Sequence, residues 1–434
     1  MALNNPLAFQ KVCDIHDFFH PEIDRILRHE LRSVPFGSRR AWEFGMIYRA
    51  VEKKGKLHRK ADGLGMGAGT ERLIYAFAKH ARKTVVTDLY TAPGGWEGVR
   101  TQDPKSLVMK KAPWPVDSAR IDVLTMDMRE LKFADNSFDF CWSTGAIEHI
   151  GHDDDFARHL SEVHRVLRPG GVYAFTTAVV FGLPTLRIPH NYYFNPEHLV
   201  DLLHASPLHA EPEFDCRITD HLFNRPHVER FQDYGFAAGN QISKPVVSFR
   251  RGTLLTANVM VLTKDGARPK KRPVVTGYMA ACKQLRRHAD NLTKHLWKDY
   301  QLLQTELRGK ELLTQPQYFG DAPTVVDVLL GSGAPSALHA TVKSRRVDEF
   351  DRWQLDVEAP LGVASANQLS FQAAEGRIYS IAVGNLEAAH TERIVVRAKH
   401  LAGGVSTGAA ATKSERGVLR NLRAGLGLLR RAGS

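Results

Sequence analysis

Asp62-Gly63-Leu64-Gly65-Met66-Gly67-Ala68-Gly69-Thr70-Glu71 places glycine at every second position, four times over. Neither a helix interior nor a strand favours this, because glycine costs about 0.5–1 kcal/mol relative to alanine in both. The pattern suits a backbone that turns tightly with something lying against it. Leu73, Ile74, Phe77 and Ala78 then mark one face of an amphipathic helix. The β-branched run Thr84-Val85-Val86-Thr87 follows and ends in Asp88. Strand, glycine turn, helix, strand and acid open a nucleotide-type α/β fold.

Spacing narrows the ligand. A dinucleotide turn reads G-x-G-x-x-G, whereas here the third glycine comes one residue early, at Gly67 or Gly69 depending on where counting starts. Three further stretches follow in order. Ile121 to Met128 reads as a third strand ending in Asp127. Asp135-Asn136-Ser137-Phe138-Asp139-Phe140-Cys141-Trp142-Ser143 reads as a turn entering a fourth, apolar strand. Glu162 to Arg168 reads as a helix stopped by Pro169-Gly170-Gly171, before a strand from Val172 to Thr177.

These landmarks resemble the class I S-adenosylmethionine-dependent methyltransferases. The resemblance implies a Rossmann-like α/β domain with a mostly parallel seven-stranded sheet, and S-adenosyl-L-methionine as cofactor. It implies that Gly63, Gly65, Gly67 and Gly69 approach the amino-acid end of the cofactor and that Asp88 binds both ribose hydroxyls. A vicinal diol suits a bidentate carboxylate, and no pyrophosphate needs cradling. Asp127 then receives the adenine amine, the Met128 backbone N–H faces the ring, and Ser143 ends the strand beside the methyl group. One departure stands out. The acid that the family carries two residues before the first glycine of its core is Gly63 here, with Asp62 one place earlier. Glu71 is a second candidate for the amine contact, and a first-turn acid favourable to the helix dipole explains it equally well.

Ser143-Thr144-Gly145-Ala146-Ile147-Glu148-His149-Ile150-Gly151 follows the fourth strand. Similar Glu-His pairs stand here in many small-molecule methyltransferases. Methylation of oxygen needs a hydroxyl proton removed, and histidine suits that task, so His149 is the candidate catalytic base. Packing or cofactor positioning is the alternative. His152-Asp153-Asp154-Asp155 reads more cheaply as an acidic helix start than as a metal site, and no metal is assigned. The proline-broken loop Phe181 to Asn195 supplies His190, Tyr192 and Tyr193 as candidate substrate contacts, since tyrosine stacks on the CH faces of a sugar. A surface loop without chemistry is its other reading. Trp42 is either a pocket or a core aromatic, and Tyr90 or Trp96 is placed to cover the adenine.

Five segments are expected: an N-terminal helical cap (1–60), with helices His16–Arg32 and Arg39–Lys53; the methyltransferase domain (61–265); a basic boundary and helical linker (266–318), helical from Tyr278 to Leu313; a small all-β sandwich-like domain (319–401); and a flexible linker with a basic amphipathic tail (402–434). The sandwich rests on short β-type runs at 325–330, 353–357, 378–383 and 393–397. Carbohydrate or partner binding and oligomer packing are its open roles. The linker helix offers an oligomer contact, and the tail an anionic membrane surface or a protein partner.

Composition sets the outer limits. An apolar share of 43% supports a sizeable core, and no stretch of about 18 apolar residues is present. Met1–Gln10 shows no signal-peptide pattern, and Cys13, Cys141, Cys216 and Cys282 are scattered, which together point to a cytoplasmic protein, with peripheral attachment at the inner membrane surface through the tail. The +12 charge invites nucleic acid. Against that, Ser-Thr-Gly and Glu-His stand where a base-amine methyltransferase carries an Asp-Pro-Pro-Tyr-type motif. The reading is O-methylation of a sugar or glycan hydroxyl or a related small polar acceptor. G-x-G-x-E, F-D-F-x-W-S, E-H-I-G and Thr176-Thr177 also resemble the methyltransferases of bacterial surface-glycan and polysaccharide biosynthesis. Nucleic-acid methylation and a cofactor-binding scaffold without catalysis are the alternatives.

Overall fold

The computed structural model describes residues 7–33, 38–91, 97–188, 191–228, 246–250, 253–265, 269–296, 299–309, 311–313, 317–318, 324–330, 338–346, 354–361, 368–374, 377–384 and 390–400. A short strand β1 (Lys11–Val12) and helix α1 (Pro21–Arg25) precede the long helix α2 (Arg39–Lys53). Next come β2 (Asp62–Met66), α3 (Arg72–His80), β3 (Lys83–Asp88), α4 (Pro104–Lys110) and β4 (Ile121–Thr125). The second half of the core is β5 (Phe138–Thr144), α5 (Asp153–Val166) and β6 (Leu167–Phe181). Strands β4-β3-β2-β5-β6 lie side by side and parallel. The chain starts at β2, works outward to β4 and returns to β5, so the crevice between β2 and β5 is the topological switch point where such sheets bind ligands.

Packing explains two of the four alternating glycines. Strand β2 is buried throughout. A Cβ on Gly63 would lie 2.3 Å from the Phe140 ring, and one on Gly65 would lie 2.3 Å from Trp142. Phe77 of α3 packs on both rings, with centroids 5.0 and 4.9 Å away. Gly63 and Gly65 are thus strand residues that make room for aromatic rings, a correction to their reading as part of the ligand-facing turn.

Further along are the hairpin β7 (Leu186–Ile188) and β8 (Asn191–Tyr193), helix α6 (Pro196–Ala205), and short strands β9 (His209–Ala210), β10 (Glu213–Asp215), β11 (His227–Val228) and β12 (Val247–Arg250). They are followed by β13 (Thr253–Thr263), β14 (Val274–Thr276) and α7 (Tyr278–Leu296). Strand β13 runs antiparallel against β6 over ten residue pairs, and its apolar run is buried as expected. The expected seven-stranded sheet is larger: β1 inserts between β13 and β10, and the described strands of this sheet number twelve. The expected helix over His16–Arg32 is also broken. Asp14 and His20 each cap a new start, giving a 3₁₀ turn at Ile15–Phe19, α1, and a π turn at Ile26–Glu30. Helix Arg39–Lys53 is present as read.

After α7 the chain turns to strands earlier than its leucine spacing implies. Strand β15 (Asp299–Gly309) pairs with residues 390–400, so the linker is helical only to Leu296. The bulge between Gln301 and Leu303 is the reason: it shifts the alternation, so that Leu302, Leu303 and Leu307 fit a bulged strand as well as a helix. Strands β16 (Glu311–Leu313), β17 (Gln317–Tyr318), β18 (Thr324–Leu330), β19 (Leu338–Arg346), β20 (Gln354–Leu361), β21 (Gln368–Ala373), β22 (Arg377–Gly384) and β23 (His390–His400) complete two antiparallel sheets, ordered β15-β23-β18-β21 and β16-β22-β19-β20. Leu338, Ala340 and Val342 are buried in alternation with exposed or half-buried neighbours, and Phe371 of one sheet meets Tyr379 of the other. This supports the all-β expectation in part; β16, β17, β19 and β21 fall outside the four runs read from the sequence. Among the described residues no helix is long and apolar enough to cross a membrane. The four cysteines are free and buried. Residues 402–434, with the expected linker and basic tail, lie outside the described residues.

Candidate active site

The turn after β2 carries the geometry that the glycine spacing demands. Gly67 and Gly69 have φ of +59° and +50°, a region open to glycine and strained for other residues. A Cβ on Gly67 would also meet Ala146 Cβ at 2.6 Å and Met128 Cε at 2.9 Å. These two glycines, not all four, shape the turn. Asp88 at the tip of β3 closes on it. Its Oδ2 accepts the Gly69 N–H at 2.8 Å and its Oδ1 accepts the Leu89 N–H at 2.7 Å. Burial raises the Asp88 carboxyl above the usual range, and the two N–H donors oppose that rise. Tyr90, considered as a cover for adenine, is instead fully buried and donates to the Gly69 carbonyl at 2.6 Å. It braces the turn from below. Trp96 lies outside the described residues.

Asp127 follows β4 and is held by Arg129, whose Nε and Nη2 approach its oxygens at 3.0 and 2.6 Å. These hydrogen bonds hold the Asp127 carboxyl below its ordinary value. Arg129 also reaches the Ile150 carbonyl and Asp155, fixing the Asp127 loop to the start of α5. Met128 is buried, and its carbonyl accepts from His159 Nδ1 at 3.0 Å. With Nδ1 donating, His159 Nε2 accepts the Tyr173 hydroxyl at 2.8 Å. Burial lowers His159 to about 4, so this bridge stays neutral. The sequence reading missed His159, Tyr173 and Arg129. Only the apolar-face position of His159 in α5 hinted at a buried role.

Near the end of β5, Ser143 is fully buried. Thr144 is the residue that faces Glu71. Glu71 is half-buried and accepts the Trp142 Nε1–H at 2.5 Å. Burial pushes it up to about 8. Asp62 does not stand in for the missing family acid. It begins β2, at the far end from the turn, paired with Arg82 and, at 3.2 Å, with Arg168. Two further charges come from α2, Arg40 and Glu43, paired at 2.7 Å. Their i,i+3 spacing on a helix otherwise buried at Trp42, Met46 and Ile47 was the available signal.

His149 is exposed on a 3₁₀ turn just past Gly145 and Ala146, with Glu148 buried beside it. Burial raises the Glu148 carboxyl, and the His149 charge lowers it in turn. Trp42 belongs to the core: it is fully buried and donates to Asp17 at 2.8 Å. His152 and Asp155 form a capping box at the start of α5, and Asp153 meets His198, so the acidic run serves the helix start. Of the expected substrate contacts, His190 lies outside the described residues. Tyr192 is a correction. It is buried, with its ring against Phe156 and Phe194 and its hydroxyl 3.3 Å from His152 Nδ1, and presents no open face for a sugar. Tyr193 is half-buried against Val180, Leu183, Leu186 and Leu255.

Comparison with known proteins agrees with this geometry. Residues 64–175 match the family model described as a methyltransferase domain. Over 86 residues the chain is 37% identical to the malonyl-[acyl-carrier protein] O-methyltransferase of Salmonella typhimurium, covering 18% of this chain and 33% of that protein. Over 60 residues it is 42% identical to the protein of the same name from Pseudescherichia vulneris, covering 14% and 23%. The chain therefore spans 23% to 33% of the length of these curated relatives. Among solved structures it is similar to the 1,6-didemethyltoxoflavin-N1-methyltransferase of Burkholderia thailandensis, at 17% identity, 61% and 94% coverage and a TM-score of 0.33. Strand, positive-φ glycine turn, strand-tip acid and family match meet in the same residues: residues 64–175 carry a methyltransferase domain, with S-adenosylmethionine as its cofactor.

Proposed function

We propose that the protein methylates an oxygen of a small polar acceptor, a sugar or glycan hydroxyl first among them. The observation that carries the cofactor side is Asp88 locked against a turn of two positive-φ glycines. Each Asp88 oxygen accepts one backbone N–H and keeps lone pairs for a diol. Asp88 holds the ribose, the Met128 backbone and Asp127 the adenine, and the Gly67–Gly69 turn the remainder. When bound, S-adenosylmethionine supplies a methyl group activated on a sulfonium. Oxygen as the receiving atom draws support from the O-methyltransferase names of the relatives and from the Glu148–His149 pair at the end of β5. His149 takes the acceptor's hydroxyl proton on a ring nitrogen. Glu148 beside it favours the imidazolium that results. The glycan acceptor, cytoplasmic placement and tail-mediated membrane or protein contact remain our reading of the sequence texture.

Calorimetric titration with S-adenosylhomocysteine tests the cofactor side. Asp88→Ala is expected to weaken binding by about 1.5–3 kcal/mol, the worth of hydrogen bonds to a charged group. Because burial raises the Asp88 carboxyl and diol donors favour its ionised form, wild-type affinity should fall as pH drops through that raised value. Loss of this acid limb is expected in the variant. A wild type that ignores S-adenosylhomocysteine would refute the reading, and binding without turnover on any acceptor would favour a scaffold.

A further inference from the structure

The edge of the sheet opposite the glycine turn is strongly basic. Lys53-Lys54-Gly55-Lys56-Leu57-His58-Arg59-Lys60, between α2 and β2, holds five lysine or arginine residues in eight and no acid. Gly55 has φ +68°, and a Cβ built on it would meet nothing within 4 Å, so the tip of this turn is open. Leu57 packs on the core, His58, Arg59 and Lys60 are exposed, and Lys56 is half-buried. Lys56 Nζ lies 3.7 Å from the Cβ position of Gly170, near the start of β6. Lys264 accepts the Gly170 N–H on its carbonyl at 2.7 Å, and its ammonium donates to Asn136 Oδ1 and the Leu167 carbonyl, both uncharged. The neighbouring carboxylates are already matched. Asp62 is shared by Arg82 and Arg168, and Asp139 pairs with Arg168. Glu52 pairs with Arg25, Glu22 with Lys53 and Glu211 with Lys54. Among the described residues no carboxylate pairs with Lys56, Arg59 or Lys60. Such a cluster repels itself, and a polyanion laid against it relieves the repulsion.

We infer that this edge docks on an anionic phospholipid surface through Lys56, Arg59 and Lys60. Charge selects a polyanion, and the shape of the turn selects which one. Residues 53–60 contain no aromatic side chain on which a base could stack. Beyond Lys53 the run is turn and irregular backbone, without the helix or two-stranded ribbon that enters a major groove. A layer of headgroups asks for neither. It takes separate cationic side chains on flexible stems, presented by a convex tip. Position agrees with this. The five residues of β2 rise about 3.3 Å each, which puts Asp62 roughly 13 Å from the start of the glycine turn. A protein docked by its basic edge therefore keeps the Asp88 side of the sheet turned away from the lipid and open to acceptors. The inference concerns the folded domain, not the tail, and does not depend on which atom is methylated.

Co-sedimentation of the full chain with phosphatidylcholine vesicles, made with and without phosphatidylserine, tests this. Wild type should bind the vesicles that contain phosphatidylserine, ignore those that lack it, and come off as salt rises and the screening length shrinks. The combined variant Lys56→Gln, Arg59→Gln and Lys60→Gln should bind roughly 100-fold more weakly, at about fivefold for each charge near the surface. An unchanged circular-dichroism melting curve shows that it folds. Should it not fold, Arg59→Gln and Lys60→Gln alone, each about fivefold weaker, give the same reading. A second variant with Arg416, Arg420, Arg423, Arg430 and Arg431 changed to glutamine isolates the tail. Weakened binding in the turn variant supports the inference whether or not the tail variant also loses affinity. Loss in the tail variant alone overturns it, as does a wild type that ignores phosphatidylserine. Duplex DNA titrated under the same conditions is the remaining arm. Wild-type binding to DNA that falls in the turn variant, with none to vesicles, assigns the edge to nucleic acid and overturns the lipid assignment.

Discussion

His149→Ala is expected to slow methyl transfer roughly 10²–10⁴-fold, the usual worth of a positioned general base. S-adenosylhomocysteine affinity should not change, because no cofactor contact is assigned to His149. The placement supports the size of the effect. His149 is exposed on a tight turn that follows directly from the end of β5, and its charge acts on the buried Glu148. The measurement is S-adenosylhomocysteine formation with the best acceptor from a sugar screen, followed across pH. At every pH the variant should form product more slowly than wild type by that factor or lose it altogether. Full retention of rate would remove the base from the mechanism. It would point to an acceptor oxygen that is already ionised, such as a carboxylate, in place of a hydroxyl.

The second large effect concerns stability. Trp142→Ala should cost about 3–5 kcal/mol, as removal of a buried aromatic usually does. The indole is fully buried, stacks near Phe140, meets Phe77 and fills the space beside Gly65. Its N–H is also a donor to Glu71, so the variant leaves a half-buried carboxylate short of a partner. Gly65→Ala attacks the same contact from the other side and should cost about 1–3 kcal/mol by overpacking. Because the two changes share one contact, Gly65→Ala combined with Trp142→Ala should cost less than their sum. Urea denaturation monitored by far-ultraviolet circular dichroism reads all three. Strict additivity would mean that the glycine is not there for the ring.

The landmarks that define the fold were legible because each combines a local cue with a fixed order. The turn glycines, the acid closing β3 and the buried run of β13 stand where spacing put them, whereas the helix read to Arg168 ends at Val166 and β6 already runs through Pro169-Gly170-Gly171. Glycine spacing alone could not separate the two kinds of glycine. Gly67 and Gly69 are needed for φ, while Gly63 and Gly65 are needed for space, and that distinction depends on rings 77 residues downstream. Tyr192 misled for a related reason: its amphipathic side chain suits a sugar and a hydrophobic core equally, and Phe156 and Phe194 decide which. The polar layer around Gly145 was half visible. Glu71 and Glu148 stood next to motifs, whereas Arg40 and Glu43 reach the site only because α2 packs across the ends of β5 and β6. The strand over residues 299–309 was hidden by a bulge that mimics helical leucine spacing.

Strand β1 has a consequence in time. Lys11 and Val12 pair with Val259 and Asn258, and Lys11 also with Asp215, so β1 finds its partners only among strands synthesised long after it. About 247 residues separate Val12 from Val259, which at a synthesis rate of roughly 5–20 residues per second is a wait of roughly 12–50 s. During that interval the five parallel strands can assemble on their own, but the edge beyond β6 stays open. Strand β1 then acts as a stitch, joining β13 to β10 with a segment made well before either of them.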